Sequence, residues 1–177
     1  MRPSRFTAFR RRAAGWIVSL LALSSIPAGA LAATSTSNLV VSALVNNNCL
    51  ISTSPVAFGV YDPTGVNAAS DRSATGSVTV TCTLGASVTV TLGQGAQAVG
   101  AVDAEPVRQM AAGANRLGYF LYQNAGATTV WGNTSGTGVA VTGDGLAQIL
   151  TVYGVVPAGR NVPSGVYGDV VVATVTF

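Results

Sequence analysis

Short runs of alternating apolar and polar residues dominate the chain from residue 76 onward. They lie at 76–84, 87–93, 116–123, 147–156 and 166–177, and glycine-, asparagine- or proline-rich connections separate them. In the first run, Val78, Val80 and Cys82 share one parity and threonines occupy the other. A period of two is typical of a β-strand with one buried face, and several such runs between turn residues indicate a sandwich or barrel. The sequence therefore predicts one all-β domain.

Two further stretches have weaker patterns. The stretch VAFGVYDPTG at 56–65 predicts a strand that ends in an Asp-Pro-Thr-Gly turn. Residues 93–116 predict a long loop with a short strand around Met110. No stretch carries apolar residues at helical spacing for more than about two turns, so we predict no long helix.

The first 32 residues have the composition of an export signal. Residues 1–12 contain five arginines and no acidic residue, an apolar run of fourteen follows, and the segment ends in Ala30-Leu31-Ala32. A charged start, an apolar run and a small-residue cleavage site define a secretory signal peptide. Because the apolar run is shorter than the roughly 18–20 residues that span a membrane, we predict removal of 1–32 rather than anchoring.

Removal of this signal changes the charge of the protein. The remaining 145 residues contain four arginines, six acidic residues and neither lysine nor histidine, so the net charge changes from +3 to −2. The basic isoelectric point therefore belongs to the signal, and it does not indicate a nucleic-acid or anionic-membrane partner.

Both cysteines, Cys49 and Cys82, lie in the exported part, where oxidation is expected. Two isolated thiols without histidine make a poor zinc site. We therefore predict one intrachain disulfide, which stabilises the fold by roughly 3–4 kcal/mol in the chain-entropy model.

The side chains available for catalysis are few. Histidine, the usual general base and nucleophile activator, is absent. The carboxylates are Asp62, Asp71, Asp103, Glu105, Asp144 and Asp169. Asp62 and Asp144 stand in turn sequences, where Asp makes local hydrogen bonds, and the pair at 103 and 105 falls short of the about six to eight oxygens of a calcium site. We expect no enzyme, no metal site and no cofactor.

Four aromatic residues leave two interpretations open: Tyr119, Tyr122, Trp131 and Tyr153. One is a platform on which sugar rings stack, as in carbohydrate-binding modules. The other, which we favour, is that aromatic residues in a small sandwich fill the core or lie at its edge.

Several sequence blocks resemble the spore coat protein U domain, from residue 39 to Phe177. The blocks are CLISTSPVAFGVYDP, TGSVTVTCT, RQM, NRLGYFLYQ, VWGN and TVYGVVPAGRNVPSGVYGDVVVATVTF, in the order expected for the family. Arg160 stands where glutamine is commoner in the family. The resemblance implies an immunoglobulin-like β-sandwich that lacks its final strand. It also implies a pilus subunit that a periplasmic chaperone holds, an outer-membrane usher receives, and neighbouring copies join at the cell surface, for attachment and biofilm formation.

Both ends of the predicted mature chain carry alternating runs that look short of a partner strand. The N-terminal run places Leu39, Val41, Ala43 and Val45 on one face, between a flexible Ser/Thr stretch and three asparagines. The C-terminal run places Val171, Ala173, Val175 and Phe177 on one face. By the resemblance, we predict that residues 33–48 donate a strand to a neighbouring copy. The domain at 49–177 accepts a strand, or a chaperone, beside its C-terminal run.

Two alternatives remain at this point. In the first, residues 39–45 are an ordinary first strand that pairs within its own domain. In the second, the protein is a secreted binding module, either a tip adhesin or a lectin-like domain that uses surface aromatics.

Overall fold

A computed structural model describes residues 32–98, 100 and 106–177. The predicted signal peptide therefore lies outside the described residues except for Ala32, and so do Asp103 and Glu105. By its contacts the chain divides into Met1–Ser42, of which 32–42 are described, and Ala43–Phe177. Residues 32–48 contain no helix and no strand, and no helix among the described residues is long and apolar enough to cross a membrane.

The described part of Ala43–Phe177 is all-β, as predicted. Its strands are β1 (Cys49–Ser54), β2 (Arg72–Cys82), β3 (Ser87–Leu92), β4 (Arg108–Ala112), β5 (Asn115–Tyr122), β6 (Val139–Thr142), β7 (Ala147–Val156) and β8 (Ala173–Thr176). Two single 3₁₀ turns interrupt the connections, at Val66–Ala68 and Ser135–Thr137.

The strands form two antiparallel sheets. One sheet has the order β1-β2-β7-β5-β4 and the other the order β6-β3-β8. The longest ladder joins β2 to β7, from Arg72 opposite Val156 to Thr81 opposite Ala147. β1 and β8 are edge strands of different sheets, so among the described residues each pairs with a single strand.

The core lies between the inward faces of the two sheets. Its members alternate along each strand, as the period of two requires: Val78, Val80 and Cys82 in β2, Val88, Val90 and Leu92 in β3, Leu117, Tyr119 and Leu121 in β5, and Val152 and Val156 in β7. Trp131 closes the core and donates a hydrogen bond of 2.9 Å from Nε1 to the carbonyl oxygen of Val90. The bond satisfies the one polar group of this buried side chain.

The predicted disulfide is present between Cys49 and Cys82. The two residues face each other as the first pair of the β1–β2 ladder. The bond therefore fastens the start of an edge strand to a central strand.

Two expectations about strands were wrong. The Asp-Pro-Thr-Gly turn exists, but residues 55–60 form no strand. The run 166–177 contains only the short β8, together with one bridge between Gly168 and Ala111. Residues 39–45 form no strand within the described chain, and their donation to a neighbouring copy stays a prediction. In each case the alternating pattern is present and a ladder partner is not, and a strand requires both.

Candidate functional site

An open groove of about 860 Å³ separates the two sheets on the side of β1 and β8. One wall is the end of β1 together with residues 55–61, and we call residues 55–61 the strap. The other wall is formed by residues 162–169 with Val171 and Ala173. Core side chains of β2, β5 and β7 form the floor, because no strand of the described chain lies between β8 and the strap to cover them. The groove is therefore an opening into the core.

The β8 wall presents a free strand edge to the groove. β8 pairs with β3, with Val175 opposite Val90, and in the described part of the chain no strand pairs with its other edge. Val171, Ala173 and Val175 pack against the core, as the sequence predicts, whereas Phe177 is 55% exposed. An unpaired edge beside exposed core is a template for another strand.

The strap has polar anchors along its length. Arg72 donates from Nε to the carbonyl oxygen of Phe58 at 2.6 Å, and the Tyr61 hydroxyl donates to the carbonyl oxygen of Pro157 at 2.7 Å. The Phe58 ring packs edge-to-face on Tyr119, with the ring centroids 6.1 Å apart. The strap therefore follows the sandwich closely, although it forms no strand.

Gly154 in β7 makes this close approach possible. A Cβ atom at this position would lie 2.6 Å from Val56 Cγ1 and 2.8 Å from Phe58 Cζ. Because real Cβ atoms essentially never come that close to another heavy atom, any larger residue would push the strap outward.

One end of the groove is polar. The Tyr119 hydroxyl donates to Asp169 Oδ2 at 2.7 Å, and Asp169 Oδ1 accepts from the backbone N–H groups of Gln97 at 3.2 Å and Val170 at 2.8 Å. Burial, and then the hydrogen bond and charge of Asp169, raise the pKa of Tyr119 far above its ordinary value. Tyr119 is therefore a neutral donor, and Asp169 ties the segment before β8 to β5.

A buried arginine lies next to this pair. Arg108 is opposite Tyr119 in the β4–β5 ladder and is only 1% exposed. It donates from Nε to the Gly93 carbonyl at 2.9 Å, and from Nη2 to the Leu92 and Trp131 carbonyls at 2.8 Å each. Burial lowers its pKa to about 10, against the effects of Tyr119 and Asp169, so it is charged at neutral pH. Its role is structural, and no local pattern in the sequence indicates it.

The structure divides the four aromatic candidates. Tyr119 and Trp131 are 5% and 1% exposed and belong to the core. Tyr122 and Tyr153 are half-buried and face each other in the β5–β7 ladder, on the outer side of the sheet. The four side chains therefore do not form one platform.

Asp62 and Asp144 make local hydrogen bonds in turns. Asp62 Oδ1 accepts from Gly65 N at 2.8 Å and Thr64 N at 3.1 Å, and these bonds lower its pKa. Asp144 Oδ1 accepts from Leu146 N at 2.8 Å. Nowhere in residues 32–98, 100 and 106–177 do three or more His, Cys, Asp or Glu side chains group as metal ligands.

The N-terminal segment exposes both of its faces. Leu39, Val40, Val41, Leu44 and Val45 are between 79% and 88% exposed. The asparagines that follow are less free than the sequence suggests, because Asn48 N donates to Thr83 Oγ1 at 3.0 Å and Thr83 N donates to the Asn48 carbonyl at 2.9 Å. These two bonds extend the β1–β2 ladder by one pair, so the chain leaves the domain at a fixed point.

The two sheets, their order and the uncovered side define an immunoglobulin-like β-sandwich with an open groove. A chain of the crystal structure of the CsuC–CsuE chaperone–tip adhesion subunit pre-assembly complex, from archaic chaperone–usher Csu pili of Acinetobacter baumannii, has the same fold. The TM-score is 0.55 at 20% sequence identity, and the match covers 75% of this chain and 40% of that one.

Sequence comparison gives the family. The model of the Spore Coat Protein U domain matches residues 35–174. Protein U of Myxococcus xanthus is 48% identical over 155 residues, which cover 82% of this chain and 87% of the relative. The chain belongs to the spore coat protein U domain family, and it is a structural protein rather than an enzyme.

Proposed function

We propose that the chain is a subunit of a surface pilus that grows by strand donation between copies. After export, a periplasmic chaperone holds the subunit and an outer-membrane usher receives it. Residues 39–45 of one copy then enter the groove of the next. The pilus serves adhesion and biofilm formation.

One observation carries this proposal: the same chain has an open groove beside a free strand edge and an exposed alternating segment. The groove lacks a covering strand between β8 and the strap. The segment 39–45 has strand-like alternation and exposed apolar side chains. An extended segment that joins a sheet edge gains main-chain hydrogen bonds, and its alternate side chains fill pockets.

The face that we assign to the groove is Leu39, Val41, Ala43 and Val45. Burial of each leucine or valine contributes roughly 1.5–3 kcal/mol before the costs of ordering the segment. Head-to-tail donation without a closing symmetry gives an open filament. The structurally similar chain comes from a complex of a chaperone with a tip adhesion subunit of archaic chaperone–usher pili, which supports the same class of assembly.

The alternative of a lectin-like module has less support. It relied on four aromatics, and burial of Tyr119 and Trp131 leaves two of the four, Tyr122 and Tyr153, on the outer sheet face beside Phe120. The alternative in which 39–45 pair within their own domain has no counterpart in the described chain, where residues 32–48 contain no strand.

The deciding experiment compares two double variants in export and assembly assays. Val41→Asp with Val45→Asp places two charges on the groove-facing side, so polymers should be lost while the chaperone complex still forms. Val40→Asp with Leu44→Asp is the matched control, because it adds the same charges to the opposite face. Normal polymers from the first variant would contradict strand donation by residues 39–45.

A further inference from the structure

Exposed aliphatic side chains lie at the end of the domain where the chain leaves at Asn48, which we call the exit end. Leu50, Leu84 and Leu146 are 68%, 78% and 70% exposed, and we call these three residues the exit patch. The loops that carry Leu84 and Leu146 are adjacent, because Gly145 N donates to the Cys82 carbonyl at 3.1 Å. Neither the core nor the groove uses these side chains.

The opposite end of the domain carries a second such group. Val60 and Val166 are 82% and 93% exposed at the rim of the groove, and with the exposed Arg160 they form what we call the mouth patch. Arg160 is tied to the residue that follows Val60, since its backbone N–H donates to the Tyr61 hydroxyl at 3.0 Å. The β2–β7 ladder fixes the two ends, with Thr81 and Ala147 at the exit and Arg72 and Val156 at the mouth.

The connection between a donated strand and its own domain is short. Residues 46–48 span at most about 10 Å when fully extended, and Asn48 is fixed to Thr83. A domain that donates residues 39–45 must therefore lie against the end of the groove that Val45 occupies.

The requirement for an open filament determines from which end of the groove the donated strand enters. The exit end of every copy already holds its own residues 46–48. A strand that entered from there would bring two exit ends together, and such self-complementary contacts close into pairs. An open filament therefore requires entry from the mouth end, which brings the exit patch of one copy against the mouth patch of the next.

Resting on the proposed strand donation, we propose that these two patches form a second contact between consecutive copies. The exit leucines pack on Val60 and Val166, and the exposed carboxylate of Asp144 faces Arg160 of the next copy. The two charges are opposite and sit beside the two aliphatic groups, as in an interface with an apolar centre and a charged rim. The contact is separate from the donated strand, and it sets how firmly one domain rests on the next.

A charge exchange in the full chain, assembled with its chaperone and usher, tests this contact. We expect Asp144→Arg and Arg160→Asp each to make filaments lose subunits in urea about fivefold faster at low salt, and the double variant to return to within about twofold of the original rate. The difference should shrink in about 1 M salt, because rim charges are screened. Thr151→Arg, on the exposed outer face of β7, is the control for an added charge.

The outcomes separate the two proposals. Filaments of both single variants that dissociate at the rate of the Thr151→Arg control would overturn the contact and leave strand donation standing. The contact would also be overturned if filaments of the double variant lost subunits in urea as fast as those of the faster single variant. Absence of filaments from the unmodified protein would contradict strand donation, and the contact with it.

Discussion

The Tyr119 hydroxyl and the Asp169 carboxylate form a hydrogen bond of 2.7 Å at the polar end of the groove. The bond joins β5 to the segment that leads into β8, fifty residues further along the chain. It therefore helps to hold the wall that presents the free edge of β8.

Alkaline unfolding should report on this bond. Because the pKa of Tyr119 is raised in the folded protein, the unfolded chain releases this proton first, and the free energy of unfolding should fall as the pH rises above about 10. Tyr119→Phe should lower the free energy of unfolding at neutral pH by roughly 1.5–3 kcal/mol, and its further fall above about pH 10 should be smaller than that of the unmodified protein. Urea titrations across this pH range measure both effects. Parallel curves for the two proteins would contradict the prediction.

Replacement of the buried arginine should be costly. Arg108→Met removes the donor for the carbonyl oxygens of Leu92, Gly93 and Trp131, so the free energy of unfolding should fall by about 3–5 kcal/mol in urea denaturation. Arg116→Met is the matched control, because Arg116 is exposed near the start of β5, and we expect a change within about 0.5 kcal/mol. Equal effects of the two variants would show that the buried bonds contribute little.

The free edge of β8 should be the chaperone's binding site. Deletion of residues 175–177 removes half of β8 and the half-buried Val175, so co-purification with the chaperone should be lost. Thr174→Asp changes an outward-facing residue of the same strand, and it should leave co-purification intact. Unchanged binding after the deletion would place the chaperone elsewhere on the domain.

Loss of the disulfide should affect stability before it affects assembly. Cys49→Ser with Cys82→Ser should lower the free energy of unfolding by about 3–4 kcal/mol and reduce the amount of exported protein. Chemical reduction of the unmodified protein should produce the same loss in urea denaturation. Detection of two free thiols in exported protein by mass spectrometry would contradict the presence of the bond in the cell.

The sequence predicted the elements that depend on local pattern. β7 matches its predicted run residue for residue, because strict alternation and bordering turns suffice to specify such a strand. The short strand predicted around Met110 appears as β4. β6 was not predicted, since four residues among glycines and threonines give too short a pattern. The burial of Tyr119 was available from parity, because it alternates with Leu117 and Leu121.

Features that depend on residues far apart in the sequence could not be predicted from local patterns. Arg108 lies in a strand of small and polar residues, and only the fold brings the carbonyls of Leu92 and Trp131 to its side chain. The strap was predicted as a strand because its apolar residues alternate. The pattern specifies which face is to be buried, but it does not say which strand is to pair with it.

The position of the Cys49–Cys82 bond has a mechanical consequence for a chain that is pulled along its length. Tension that arrives through residues 46–48 reaches the sandwich at the first pair of the β1–β2 ladder. Without the bond, an edge strand loaded at this end would peel away, and its hydrogen bonds would break one after another under low force. The covalent link passes the load at once to β2, which has a partner strand on each side. Unfolding then requires several hydrogen-bonded pairs of β2 and its neighbours to break at the same time by shear, which demands a much larger force.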